Sequence, residues 1–202
     1  MEKIRLADVK SLHEYEKTRE ASRRRVIATK RRRRVAVGDR LSFLFENRET
    51  VLFQIQEMVR AERIVAGDRV QDEVDVYNAL VPEPGELSAT MMIEIEEKSQ
   101  IQPVLDSLLG IDSGEYVWLA IGRDFAVPGR FEEGHSKEDR IAAVHFVRFP
   151  LTLSQRRAFG REPVALVVDH PSYRARTELS ADTRAALLED LEERAPSAES
   201  GH

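Results

Sequence analysis

Leu41-Ser42-Phe43-Leu44-Phe45-Glu46 alternates like an extended strand, and Asn47-Arg48-Glu49-Thr50 then turns the chain into a helix over about 49–65. Leu41, Phe43 and Phe45 fall on one face of the strand. In the helix, Leu52, Ile55 and Val59 form an apolar stripe that Val51 and Met58 widen. The Asn47 side-chain oxygen suits the first position, where it can accept an orphan amide hydrogen bond. Gly67 breaks the helical pattern, and a second helix is expected over 68–79, with Val70, Val74 and Tyr77 spaced for burial.

Working outward, Val81-Pro82-Glu83-Pro84-Gly85 is a loop, and 88–95 is a strand with Ala89, Met91, Ile93 and Ile95 inward. A helix is expected over 100–109, stopping at Gly110, and a buried strand over 117–121. Residues 122–139 combine Gly, Pro and charge and read as a loop. Strands follow at 142–149, 164–168 and 174–178, with a short helix at 153–160 between the first two. The chain closes on an amphipathic helix over 181–194 and a tail, 195–202, expected to be disordered. Upstream, Leu6, Val9, Leu12 and Tyr15 recur at three-residue steps, so a helix is expected from Leu6 to about Lys30. There is no regular strand–helix–strand rhythm and no Gly-rich phosphate fingerprint. The expected fold is therefore α+β: a single domain over 1–194, a mostly antiparallel sheet packed by helices, and a long N-terminal helix.

Composition narrows the function classes. The chain has 202 residues, 42% of them hydrophobic, so it can bury a core without staples. It has no cysteine, which excludes disulfides, thiolate nucleophiles and cysteine-ligated clusters. Apolar runs are short and the first residues are charged, so neither a membrane span nor a signal peptide is expected, and a cytoplasmic protein is. The net charge is −5, but residues 17–34 carry ten cations and one acid, a local +9 that leaves −14 for the rest. That run has no aromatic to stack on bases, and nucleic acid is disfavoured as its partner. It reads better as a docking surface for an acidic protein, the competing reading being that its arginines pair with the protein's own acidic surface. The first helix could pack on its own domain or on a second copy in a homo-oligomer.

Two groups of residues could carry chemistry. Glu46, Asn47, Arg48, Gln54 and Glu57 place carboxylates, amides and a guanidinium beside the 49–65 stripe, where they could bind a polar ligand or simply form a solvated, ion-paired face. His145 sits in the alternating strand 142–149 and His170 follows another strand, where Pro171 restricts it to an extended conformation. If those strands are neighbours, His145 and His170 with Glu57, Glu94 or Asp169 would make a two-histidine, one-carboxylate metal set. The competing reading is a pair of hydrogen-bonded structural histidines. His13, His135 and His202 carry no special signal, and Asp169, His170 and Ser172 are adjacent in sequence without the geometry of a triad.

The stretches RVIATKRRRRVAVG (25–38), FENRETVLFQIQEM (45–58), RAERI (60–64), YNALVPEPGELSATMMIE (77–94), AVHFVRFPLT (143–152) and VVDHPSYR (167–174) resemble, in this order, the bacterial and archaeal family called domain of unknown function 3501. The resemblance runs from Met1 to about Leu191. It implies a setting near redox or peroxide-stress chemistry, beside an iron–sulfur oxidoreductase and a rubrerythrin-like protein. The family segments contain Glu46, Asn47, Arg48, Gln54, Glu57, Tyr77, Asn78, Thr90, Glu94, His145, Arg148, His170 and Tyr173, which are the candidate site residues. Two functions follow as expectations. One is an accessory or binding protein for the iron–sulfur partner, with a polar pocket between the 46–63 helix and the sheet. The other is an enzyme using His145, His170 and Glu57 or Glu94 around a non-sulfur-ligated ion such as iron, manganese or zinc.

Overall fold

The computed structural model describes residues 1–113, 116–132 and 141–192. The expected tail, His135, His202 and the last two residues of the expected terminal helix lie outside them. In chain order the elements are α1 (Leu12–Arg31), β1 (Arg34–Val37), β2 (Leu41–Glu46), α2 (Arg48–Ala61), α3 (Gly67–Tyr77), β3 (Glu86–Ile93), α4 (Ile101–Ser107) and β4 (Val117–Ile121). They continue with β5 (Phe125–Pro128), β6 (Arg130–Phe131), β7 (Val144–Pro150), α5 (Leu153–Phe159), β8 (Val164–His170), β9 (Tyr173–Glu178) and α6 (Ala181–Glu192). The fold is α+β, as expected. The expected sheet divides into two, both antiparallel throughout: five strands in the order β1-β2-β3-β7-β6 and four in the order β5-β4-β8-β9.

All six residues of β2 are buried because its two faces meet different layers. Leu41, Phe43 and Phe45, with Leu87, Ala89 and Met91 of β3 and Val147 and Phe149 of β7, pack toward the second sheet. Leu119, Ile121, Leu166 and Val168 answer them from that sheet, and Leu187 and Leu191 of α6 join the same cluster. The opposite face carries the helices. Val51, Ile55 and Val59 of α2, Val70 and Val74 of α3, and Ile4 make a separate cluster that Phe146 of β7 reaches from the sheet.

Several expectations shift for local reasons. The first helix does not begin at Leu6. A single 3₁₀ turn at Leu6–Asp8 comes first, and Ser11 caps α1 by accepting from the Glu14 amide while Glu14 reaches back to the Ser11 amide. β1 was hidden by its neighbouring arginines, although Arg34-Val35-Ala36-Val37 buries Val35 and Val37 and exposes the other two. The expected loop 122–139 contains β5 and β6, the corner at which the chain leaves one sheet for the other.

That corner turns at Gly129. Its amide donates to Val117 O at 2.8 Å, and a Cβ built there would lie 2.8 Å from Val147 Cγ2 and 3.1 Å from Val117 O. At the β1–β2 turn, Gly38 has φ +68° and lies under Tyr173 of β9, whose hydroxyl donates to Val37 O at 2.7 Å. A third tie is ionic. Arg33, just before β1, is 4% exposed and grips Asp190 of α6 through Nη1 at 2.6 Å and Nη2 at 2.9 Å. Nη2 also donates to Ala186 O at 3.2 Å. The pair spans 157 positions of sequence.

Two outcomes follow for stability. Gly129→Ala should lower the unfolding free energy in urea by about 1–3 kcal/mol, the usual cost of overpacking. Asp190→Ala should cost about 3–5 kcal/mol, because it leaves the Arg33 guanidinium buried without its carboxylate, and the Arg33→Met/Asp190→Leu double variant should recover most of that loss.

Candidate functional site

Glu46 ends β2 and points to the helix face, opposite the phenylalanines of its strand, where it is 1% exposed. Its carboxylate accepts from Thr50 Oγ1 at 2.5 Å, Gln54 Nε2 at 3.2 Å and Thr90 Oγ1 at 2.8 Å. Thr50 and Gln54 are one and two turns into α2, and Thr90 is on β3, so the carboxylate staples helix to sheet. Among the described residues it has no cationic partner, and its donors are hydroxyls and an amide. Asn47 caps α2 by accepting from the Thr50 amide at 2.9 Å. The expected polar pocket is here a filled network: these side chains satisfy one another.

Glu57 faces α1. It accepts from Tyr15 Oη at 2.7 Å and from Arg19 Nε and Nη2, both at 2.8 Å. The Arg19 hydrogen bonds hold the Glu57 carboxyl below its ordinary value, against the opposing effect of burial and with help from Tyr15. Burial, then the bond to Glu57, pushes the Tyr15 phenol up. The buried amide of Gln56 adds to the same seam, accepting from the Lys10 amide at 2.9 Å and donating to Lys10 O at 3.0 Å. The first helix therefore packs on its own domain. Arg48, at the start of α2, pairs with Asp8 at 2.6 Å.

The remaining candidates are dispersed. Arg148 on β7 donates to Glu86 and to Ala79 O. Asn78 accepts from the Ile4 amide and donates to Ile4 O, both at 2.8 Å, and so holds the N-terminal segment. Burial raises the phenol of Tyr77, with Glu73 and Glu62 adding to the effect. Tyr173 bridges β9 to the β1–β2 turn. Glu94 accepts from Ser42 Oγ at 2.5 Å and from Arg34 Nη1 at 3.3 Å.

The structure does not bring the four expected metal ligands together. His145, 1% exposed and opposite Met91 in register, faces the core between the sheets, whereas Glu57 lies in the helix layer behind the same sheet. Its Nε2 is 2.7 Å from Ala142 O and so carries the proton, and Nδ1 lies 3.5 Å from Asp112. His170 is at the end of β8 in the other sheet. Its Nε2 donates to Leu109 O at 3.2 Å and its Nδ1 accepts from the Ser172 amide at 3.2 Å, so neither ring nitrogen offers a free lone pair. Among the described residues no three His, Asp or Glu side chains form a group that could hold a metal ion.

The basic run divides in two. Arg19, Arg25, Arg32, Arg33 and Arg34 each face a carboxylate of this chain. Among the described residues Lys17, Arg23, Arg24, Lys30 and Arg31 make no ion pair, and Lys30 lies over the Phe53 ring, 6.0 Å from its centroid. Helical spacing places Arg23, Arg24 and Arg31 around Ile27, which is 49% exposed. A three- and four-residue count over 17–34 would have found this face; no local count finds the distant acids that occupy the other arginines.

The Glu57 clamp predicts an acid-sensitive seam. A carboxyl held low in the folded state contributes stability that is complete above its ordinary value of 4.5 and is lost as pH falls through the lowered folded value. Thermal unfolding followed from neutral to acid pH should show the native chain losing more of its melting temperature below that point than Glu57→Gln does. Parallel curves would overturn the assignment.

Comparison with known proteins agrees with this architecture. No helix among the described residues is long and apolar enough to cross a membrane. No curated protein matches the chain. A crystal structure of a novel protein of unknown function from Burkholderia pseudomallei K96243 is similar to it, with 33% sequence identity and a TM-score of 0.87 over 95% of this chain and 100% of that one. The sequence model of the family described as "Protein of unknown function (DUF3501)" matches residues 3–191, and the chain belongs to that family.

Proposed function

We propose that this is a binding protein that docks an acidic partner protein on the outer face of α1. One observation carries the reading: of the 20 residues of α1 only Tyr15 and Val26 are buried, and five cations without an ion pair among the described residues lie along the rest, three of them beside a half-exposed isoleucine. Arginines around an apolar contact are the composition of protein-binding surfaces, and charge of one sign steers an oppositely charged partner to them. The helix is held rigidly from behind by the Glu57 clamp, so little ordering cost falls on association. The chain is acidic elsewhere, which disfavours any partner that would have to meet that surface.

The redox setting implied by the family resemblance makes an iron–sulfur oxidoreductase the partner to test first, with a rubrerythrin-like protein second. Substituting Arg33 would confound the test, since its pair with Asp190 holds the fold together. In a titration against the oxidoreductase, Arg23→Ala/Arg24→Ala/Arg31→Ala should weaken association about tenfold and flatten its salt dependence. Unchanged affinity and salt slope would overturn the docking role.

A further inference from the structure

A second cationic feature lies far along the chain from α1, and unlike that convex helix it is concave. An open cleft of about 760 Å³ is lined by Arg123, Arg157, Arg161 and Arg176, together with Ser154 and Phe125. The four arginines come from separate places: the β4–β5 turn, α5, the connection after α5, and β9. None was prominent in the sequence, because 53 positions separate the first from the last and no two are adjacent.

Among the described residues, none of the four guanidiniums makes an ion pair or a side-chain hydrogen bond. That holds even though Asp124 and Glu162 line the same cleft. The lining therefore carries four cations against two acids inside a chain whose net charge is −5. Mutual repulsion opposes such a grouping, and each planar fork keeps its N–H donors free. The backbone beneath is fixed. The Gly122 amide donates to Pro163 O at 2.8 Å, the Glu162 amide to Ala158 O at 2.8 Å, and Arg184 Nη1 to Glu162 O at 2.8 Å.

From this grouping we infer that the cleft is a binding site for a small phosphate-bearing anion with at least two phosphoryl groups, such as pyrophosphate or a nucleoside diphosphate. Guanidinium forks match phosphate oxygens in bidentate geometry. A planar carboxylate offers two oxygens in one plane, whereas tetrahedral phosphates can be met by forks arriving from several directions. The cavity has the size of small-ligand clefts, which run to roughly 300–1,000 Å³. Ser154 Oγ adds a neutral donor, and the Phe125 ring, together with Ala158, supplies an apolar wall for the non-phosphate part of such a ligand.

Calorimetric titration of the full chain with pyrophosphate and with ADP tests the site. The expected result is saturable one-to-one binding of at least one of them. Binding should weaken about tenfold or more in Arg157→Ala/Arg161→Ala and in Arg123→Ala/Arg176→Ala, the usual consequence of losing charge-assisted forks. The two variants alter different elements, so each checks the other should one fold poorly. The α1 variant Arg23→Ala/Arg24→Ala/Arg31→Ala should bind like the native chain. This control separates the cleft from the docking face, so either reading can fail alone. The site is overturned if neither ligand saturates, or if the α1 variant loses as much affinity as the cleft variants. Displacement of bound ADP by a short single-stranded RNA at lower concentration than by pyrophosphate would also overturn it, in favour of nucleic acid.

Discussion

The buried pair of Arg33 and Asp190 joins the start of the first strand to the last helix. A charge held this far from water is tolerable only with its partner in place. The pair therefore fixes where α6 sits, and α6 brings Leu187 and Leu191 to the core between the sheets. The Arg33 carbonyl also accepts from the Phe45 amide at 3.0 Å, so the same residue aligns β1 against β2. Side-chain charge and backbone pairing at one position thus tie the N-terminal helix layer, the five-stranded sheet and α6 together.

The five-stranded sheet divides the molecule into two environments. Its inner face is apolar apart from His145 and meets the second sheet. Its outer face mixes Phe146 with Ser42, Glu46, Ser88 and Thr90 under the helices. A carboxylate such as Glu46 can be buried there because helix and sheet each contribute a hydroxyl and α2 adds an amide. The histidines follow the same division. His145 takes the inner face by strand alternation and finds a carbonyl, and His170 closes the end of β8 with a carbonyl and an amide. Both serve as hydrogen-bonded pieces of the scaffold.

Charge is handled in the same way. The basic run is one continuous block in sequence, yet in space half of it is consumed internally. Five of its arginines reach Glu57, Glu49, Glu189, Asp190 and Glu94, which come from α2, α6 and the end of β3. Of the cations left over, Arg23, Arg24 and Arg31 share one face of α1. The arginines of the cleft between β4, α5 and β9 invert this pattern, being scattered in sequence and gathered in space.

Period-two and period-three-to-four spacing was enough to read the α+β class, the 41–46 strand and the helix after it, β4, and the order of most elements. These depend on which face of a local segment is apolar, and that information is carried by neighbours in the chain. The segment 45–58 also carried the residues that staple α2 to the sheet. β1 stayed hidden because arginines flank its two buried valines, and β5 and β6 because glycine, proline and charge there mark a corner between sheets as readily as a loop. The partners of Glu46, Arg33, His145 and His170 were beyond local reading. Whether a polar side chain is a site or a strut depends on what the distant chain places opposite it. The tertiary structure decided that by setting Thr90 beside Glu46, Asp190 beside Arg33 and Leu109 beside His170.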